Sequence, residues 1–193
     1  AIGLADARFS GQDAPALLAG MAAHAMVPLD QLSTAGVALM FGILGHHAGF
    51  PIAEGGSGRI VDAMVAELAG LGGEVRCGER VMSLDQLPTA RAVLCDTTPR
   101  GLVEIAGERL PARYRRRLER FRYGPGVFKV DIALDGPVPW GDPALAAAGT
   151  IHIGGTMAEI AHAEAEVCAG RIAERPYVLA VQATPFDPSR APD

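Results

Sequence analysis

The chain of 193 residues is 49% hydrophobic and 20% charged, with 17 basic against 22 acidic side chains and a formal net charge of −5. That length suits one globular domain with a real core, and the acidic balance argues against nucleic acid as a partner. The longest apolar run, Ala35 to Gly45, has eleven residues, about half of the ~20 that a membrane-spanning helix needs. Neither end carries a targeting pattern, so a cytoplasmic compartment is expected. Opening in mid-pattern and closing on Pro185, Pro188 and Pro192, the sequence is expected to be a piece of a longer chain. Cys77, Cys95 and Cys168 are odd in number, widely spaced and without a C-x-x-C pair; three reduced, mostly buried thiols are expected, with no disulfide framework and no metal site.

The first fifty residues read as helical. Leu17, Leu18, Met21, His24 and Ala25 form one amphipathic stripe, ended by Pro28. A second helix is expected after Ser33 and Thr34, either of which can cap it. Its segment Val37 to Leu44 is apolar nearly all round, as in a helix buried by protein or lining an apolar cavity. Gly55, Gly56 and Ser57 lead into Ile60, Val61, Met64, Val65, Leu68 and Leu71 at helical spacing, and Gly72-Gly73 stop that helix.

Extended segments follow at Glu74–Cys77, Arg80–Leu84 and Ala92–Cys95. Arg113 to Phe121 then reads as an arginine-rich helix broken by Gly124-Pro125-Gly126. Val127 to Leu134 alternates, with Phe128, Val130, Ile132 and Leu134 on one face, and predicts a strand. A short strand at Thr150–Ile153 precedes a helix opened by the capping box Thr156/Glu159, and Tyr177–Ala183 supplies a last strand. Because helices and strands do not alternate regularly, the expected fold is α+β: a mixed sheet with packed helices and an N-terminal helical lobe. The expected organisation is one domain, with the lobe over 1–54 and the sheet with its helices over 55–193.

No G-x-G-x-x-G and no P-loop pattern occurs, so the usual helix-N-terminal phosphate cradle is missing. Gly55-Gly56-Ser57-Gly58 reads first as a tight turn, and second as backbone N–H groups offered to an anion. His46 and His47 are adjacent and diverge by about 100° on a helix, which does not favour one shared metal. His24 reads as a satisfied core residue, and His152 and His162 have no ligand partner at chelating spacing. No G-x-S-x-G elbow is present. The arginine-rich helix reads as a solvated face, with docking to an acidic partner or peripheral contact with anionic lipid as the sharper alternative.

The run Gly49-Phe50-Pro51 through Gly55-Gly56-Ser57, then Leu71-Gly72-Gly73-Glu74-Val75 and Val81, resembles the start of the substrate-domain sheet in phytoene-dehydrogenase-related FAD oxidoreductases and the wider flavin amine oxidase superfamily. Asp96-Thr97-Thr98-Pro99-Arg100, Tyr123-Gly124-Pro125-Gly126-Val127-Phe128-Lys129 and Ile153-Gly154-Gly155-Thr156 resemble the same family. The similarity covers nearly the whole chain, but the two defining cofactor motifs are not in it.

The resemblance implies the substrate-side domain of a two-domain flavoenzyme, partnered by an FAD-binding domain absent from this sequence. FAD is therefore expected in the full-length protein and not on these residues alone. It implies hydride transfer from an apolar, isoprenoid-like small molecule to flavin, with amine oxidation as an alternative and a non-catalytic binding module as a second class. Val81 matches a position whose backbone N–H and C=O read the adenine edge; an ordinary ladder residue is the alternative. Thr97, Thr98 and Pro99 match a return toward the cofactor, against a Pro-terminated loop. Lys129, with Gly126 before it and Trp140 after it, resembles a lysine that holds a water near flavin N5. A solvent-facing lysine paired with Asp131 is the competing reading.

Overall fold

The computed structural model describes residues 1–191. These form seven α-helices and one two-stranded antiparallel sheet, an α+β chain as expected. They divide into two compact units, one made of Ala1–Met64 with the chain from Gly124 onward, the other of Val65–Tyr123. The lobe expected over 1–54 is thus not set apart from the C-terminal residues, with which it shares a unit.

In the first unit, α1 (Ile2–Arg8), α2 (Asp13–Ala22) and α3 (Leu32–His47) precede α4 (Gly58–Gly70), which runs on into the second unit. Asp13 in the first turn of α2 complements the helix dipole. The helix tightens into a 3-10 turn at Ala23–Ala25 and stops where Met26 takes a left-handed φ of 54°, unusual for a residue with a Cβ. α3 lacks the expected side-chain cap: its N-cap is Gln31. Thr34 is instead fully buried, its hydroxyl directed at the carbonyls of Leu29 (3.0 Å) and Gln31 (2.6 Å).

Strands β1 (Thr150–Ile153) and β2 (Val178–Val181) pair in antiparallel register, Thr150 opposite Val181 and Ile153 opposite Val178. Between them α7 (Met157–Cys168) opens with the expected capping box: the Glu159 N–H donates to Thr156 Oγ1 at 3.3 Å, and the Thr156 N–H donates to Glu159 Oε2 at 2.8 Å. The core joins α1, α2, α3 and α7 through Ala5, Leu18, Ala19, Ala22, Ala23, Leu29, Ala38 and Ile160. Small side chains dominate because α2 lies directly against α3 and α7, and alanine lets helix axes approach.

The second unit packs α5 (Pro99–Ala106) on α6 (Ala112–Glu119). Arg115 of α6 bridges Glu108 at 3.2 Å and Glu119 at 3.4 Å, and Arg109 pairs with Asp85 beside the Ser83-capped turn Leu84–Gln86.

Several expectations are corrected. The expected larger mixed sheet is not formed: among the described residues only Thr150–Ile153 and Val178–Val181 pair, and Glu74–Cys77, Arg80–Leu84, Ala92–Cys95 and Val127–Leu134 lie outside any strand. Alternation sets an extended backbone, but a strand exists only when a second segment supplies its ladder; here Val127, Phe128, Val130, Ile132 and Leu134 are all exposed. The stripe Ile60, Met64, Leu68 and Leu71 is likewise exposed and covers no sheet. Leu39, Met40, Ile43 and Leu44 of α3 are exposed, since only its Thr34/Ala38 side meets the core. All three cysteines are exposed, because the extended segments carrying Cys77 and Cys95 are covered by nothing and Cys168 ends α7.

Candidate functional site

In the second unit, Val81 and the first turn of α5 come together. Arg80, Val81, Met82, Gly101, Glu104 and Ile105 line a small depression of about 160 Å³. Val81 is not a ladder residue: its N–H and C=O have no partner among the described residues, whereas the next N–H, of Met82, donates to Gln86 Oε1 at 2.6 Å. Thr97 is exposed, and its Cβ lies against Gly101. Thr98 caps α5, accepting the Gly101 N–H at 3.3 Å, and Pro99 holds the first helical position, where its missing N–H costs nothing.

Tyr123 closes over this turn. Its hydroxyl accepts the Arg100 N–H at 3.2 Å, its ring lies 5.0 Å from the Arg100 guanidinium carbon, and Phe121 meets it edge-on at 5.3 Å. The phenol is pulled below its usual range, first by a hydrogen bond from the Thr98 side chain and then by the Arg100 N–H. The Val81 N–H and C=O remain open to an external acceptor and donor, and the described residues offer no glycine fingerprint for a pyrophosphate.

The glycine loop before α4 is already bound to an anion of its own chain. The Gly55 N–H donates to Asp187 Oδ2 at 2.8 Å, and that carboxylate also takes Arg190 Nε at 2.8 Å and Ser189 Oγ at 2.5 Å. Held by the hydroxyl and guanidinium, the nearly buried Asp187 carboxyl is lowered to about 2. Gly55 and Gly56 have φ of 74° and 98°, so the loop needs glycine for its turn.

Lys129 lies in the first unit, paired with Asp131 and exposed with it. Its strand is absent, and the pairing is the one that the competing reading of this residue describes. Trp140 is tied elsewhere, donating Nε1–H to Gln182 Oε1 at 2.9 Å.

An open apolar groove of about 490 Å³ runs between α2 and α3, walled by Leu18, Met21, Ala38, Leu39, Gly42 and Ile43, with His46 and His47 at one end. Of the two expectations for the all-round apolar α3, burial by protein or an apolar cavity wall, its exposed Leu39 and Ile43 exclude the first over this segment and line an open groove. What sequence spacing did not reveal is a pair of imidazoles: His24 Nε2 and His152 Nε2 are 3.2 Å apart although 128 positions separate the residues. His24, expected in the core, is exposed and stacks on Phe41 at 4.6 Å. Among the described residues no group of three or more His, Cys, Asp or Glu side chains converges as a metal site. No described helix is long and apolar enough to cross a membrane.

In comparisons with protein-family models, curated proteins and solved structures, nothing matches this chain.

Proposed function

We propose that this chain is the substrate-side part of an FAD-dependent oxidoreductase of the phytoene-dehydrogenase-related kind, acting on an apolar, isoprenoid-like molecule. The observation that carries the reading is the α2–α3 groove, whose walls are apolar over Leu18, Met21, Ala38, Leu39, Gly42 and Ile43; such walls suit a hydrocarbon and offer an amine no carboxylate. The unpartnered Val81 backbone supports an adenine-reading role, as does the order of sequence motifs. FAD, when bound, supplies the hydride-accepting chemistry. Val81 would hold the adenine edge, and the apolar groove would orient the substrate.

The test is made on the full-length protein. Purified, it should show flavin absorbance that bleaches anaerobically on addition of an isoprenoid polyene precursor and not on addition of primary amines. A colourless protein, or bleaching by amines alone, overturns the reading.

A further inference from the structure

One polar contact in the first unit belongs to no part of the proposed reaction. It is the His24–His152 pair, one imidazole from the 3-10 turn after α2 and the other from β1. His152 sits directly on the backbone of α2: a Cβ placed on Gly20 would lie 2.8 Å from its Nδ1. Tyr177 meets the same ring edge-on at 5.6 Å and donates its hydroxyl to the Gly20 carbonyl at 2.8 Å. On the other side, the His24 ring is sandwiched between His152 and Phe41 of α3, and Phe41 in turn meets Phe50 at 5.9 Å. The two imidazoles thus form a polar tie between the helices and the β1–β2 ribbon.

We propose that this tie is a proton-operated latch, closed while at least one imidazole is neutral and released when both are protonated. An Nε2–H···Nε2 hydrogen bond needs one donor and one acceptor; with two protons both nitrogens become donors and two cations face each other.

The surroundings do not compensate the second charge. Among the described residues no carboxylate forms an ion pair with either ring. Asp13 is the one acidic residue of α2, at its far end from the tie, and α3 carries only His46 and His47 as titratable groups. On α7, Glu159 is paired with Arg175 and Glu166 with Arg171; Glu164, its carboxyl raised by burial, acts on Tyr177 and Cys168. Tyr177 stays a neutral phenol, held well above its usual range by burial and then by Glu164, and Cys168 is directed at the Met26 carbonyl.

Burial, and secondly the charge on His24, lower the His152 imidazole below its ordinary value. The closed state therefore binds fewer protons than the open one. Closure is fully present above the ordinary histidine value of about 6.5 and is lost as the pH falls below it, by up to about tenfold in the closing equilibrium per pH unit for one proton taken up.

Trp140, the single tryptophan, reports on the ribbon because it is bonded to Gln182, the residue after β2. Trp140 fluorescence should change reversibly between pH 7 and 5 in the intact chain. His152→Gln and His24→Gln should each remove that transition, and His162→Gln, on the exposed side of α7, should leave it. Should either latch variant fold poorly, histidine NMR decides: closure requires one of the two imidazoles to titrate at least about one unit below the exposed His162. A transition that persists in both variants, or His24 and His152 both titrating together with His162, overturns the latch.

Discussion

Gly42 gives a direct test of the groove, because the same substitution should move stability and binding in opposite senses. It lies inside α3, half-buried, and a Cβ built there meets nothing nearer than Met21 Sδ at 4.0 Å. Leucine is therefore accommodated at Cβ, and its longer side chain enters the groove that Gly42 lines. Replacing a mid-helix glycine by a good helix former gains about 0.8 kcal/mol, so Gly42→Leu should unfold at slightly higher urea. A ligand kept off about 100 Å² of apolar wall loses about 2.5 kcal/mol, which raises its Kd by more than tenfold. The assay is titration of wild type and variant with a fluorescent conjugated polyene, beside urea unfolding. Gly36→Ala serves as control: it lies on the same helix, away from the groove lining, with nothing within 4 Å of its Cβ, and should gain about 1 kcal/mol with Kd unchanged. A Gly42→Leu protein that is folded and binds the polyene as tightly as wild type refutes the groove as the substrate wall.

Two further substitutions probe the first unit. Thr156→Ala removes the side-chain half of the α7 capping box and should cost about 1 kcal/mol in urea unfolding, whereas Thr156→Ser should recover most of it. Asp187→Asn tests the carboxylate on the Gly55 N–H: because the folded value is depressed to about 2, its contribution is complete above the ordinary aspartate value of about 3.9 and disappears as the pH falls from there through about 2. Acid unfolding followed by circular dichroism between pH 5 and 2 should be shallower in the variant. Equal slopes would show that the carboxylate gains nothing from its Ser189, Arg190 and Gly55 contacts.

Helices were legible in the sequence because their determinants are local. The apolar stripe located α2, although it stops at Met26 ahead of Pro28; Gly72-Gly73 located the end of α4, and Thr156 with Glu159 three positions later located the start of α7. Strands were less legible, since Thr150–Ile153 and Val127–Leu134 carry similar extended signals and only the first finds a partner, Val178–Val181. The long-range polar contacts were invisible for the same reason. Asp187 reaches Gly55 across 132 positions and His152 reaches His24 across 128, and no spacing rule spans such distances. Val81 was identified by resemblance alone; its neighbour in space, Gly101, became evident only once α5 was in place.

The unpaired stretch Val127–Leu134 carries a cost in solution behaviour. Alternating, rich in β-branched and aromatic residues and exposed, it offers backbone donors and acceptors to any identical segment that arrives alongside, the starting geometry of cross-β association. The charged pair inside it, Lys129 and Asp131, interrupts that apolar run as a gatekeeper, discouraging stacked copies by placing like charges in register. Lys129→Met would therefore remove one of those two charges and should scatter more light than wild type at equal concentration; equal scattering would show that the pair guards nothing.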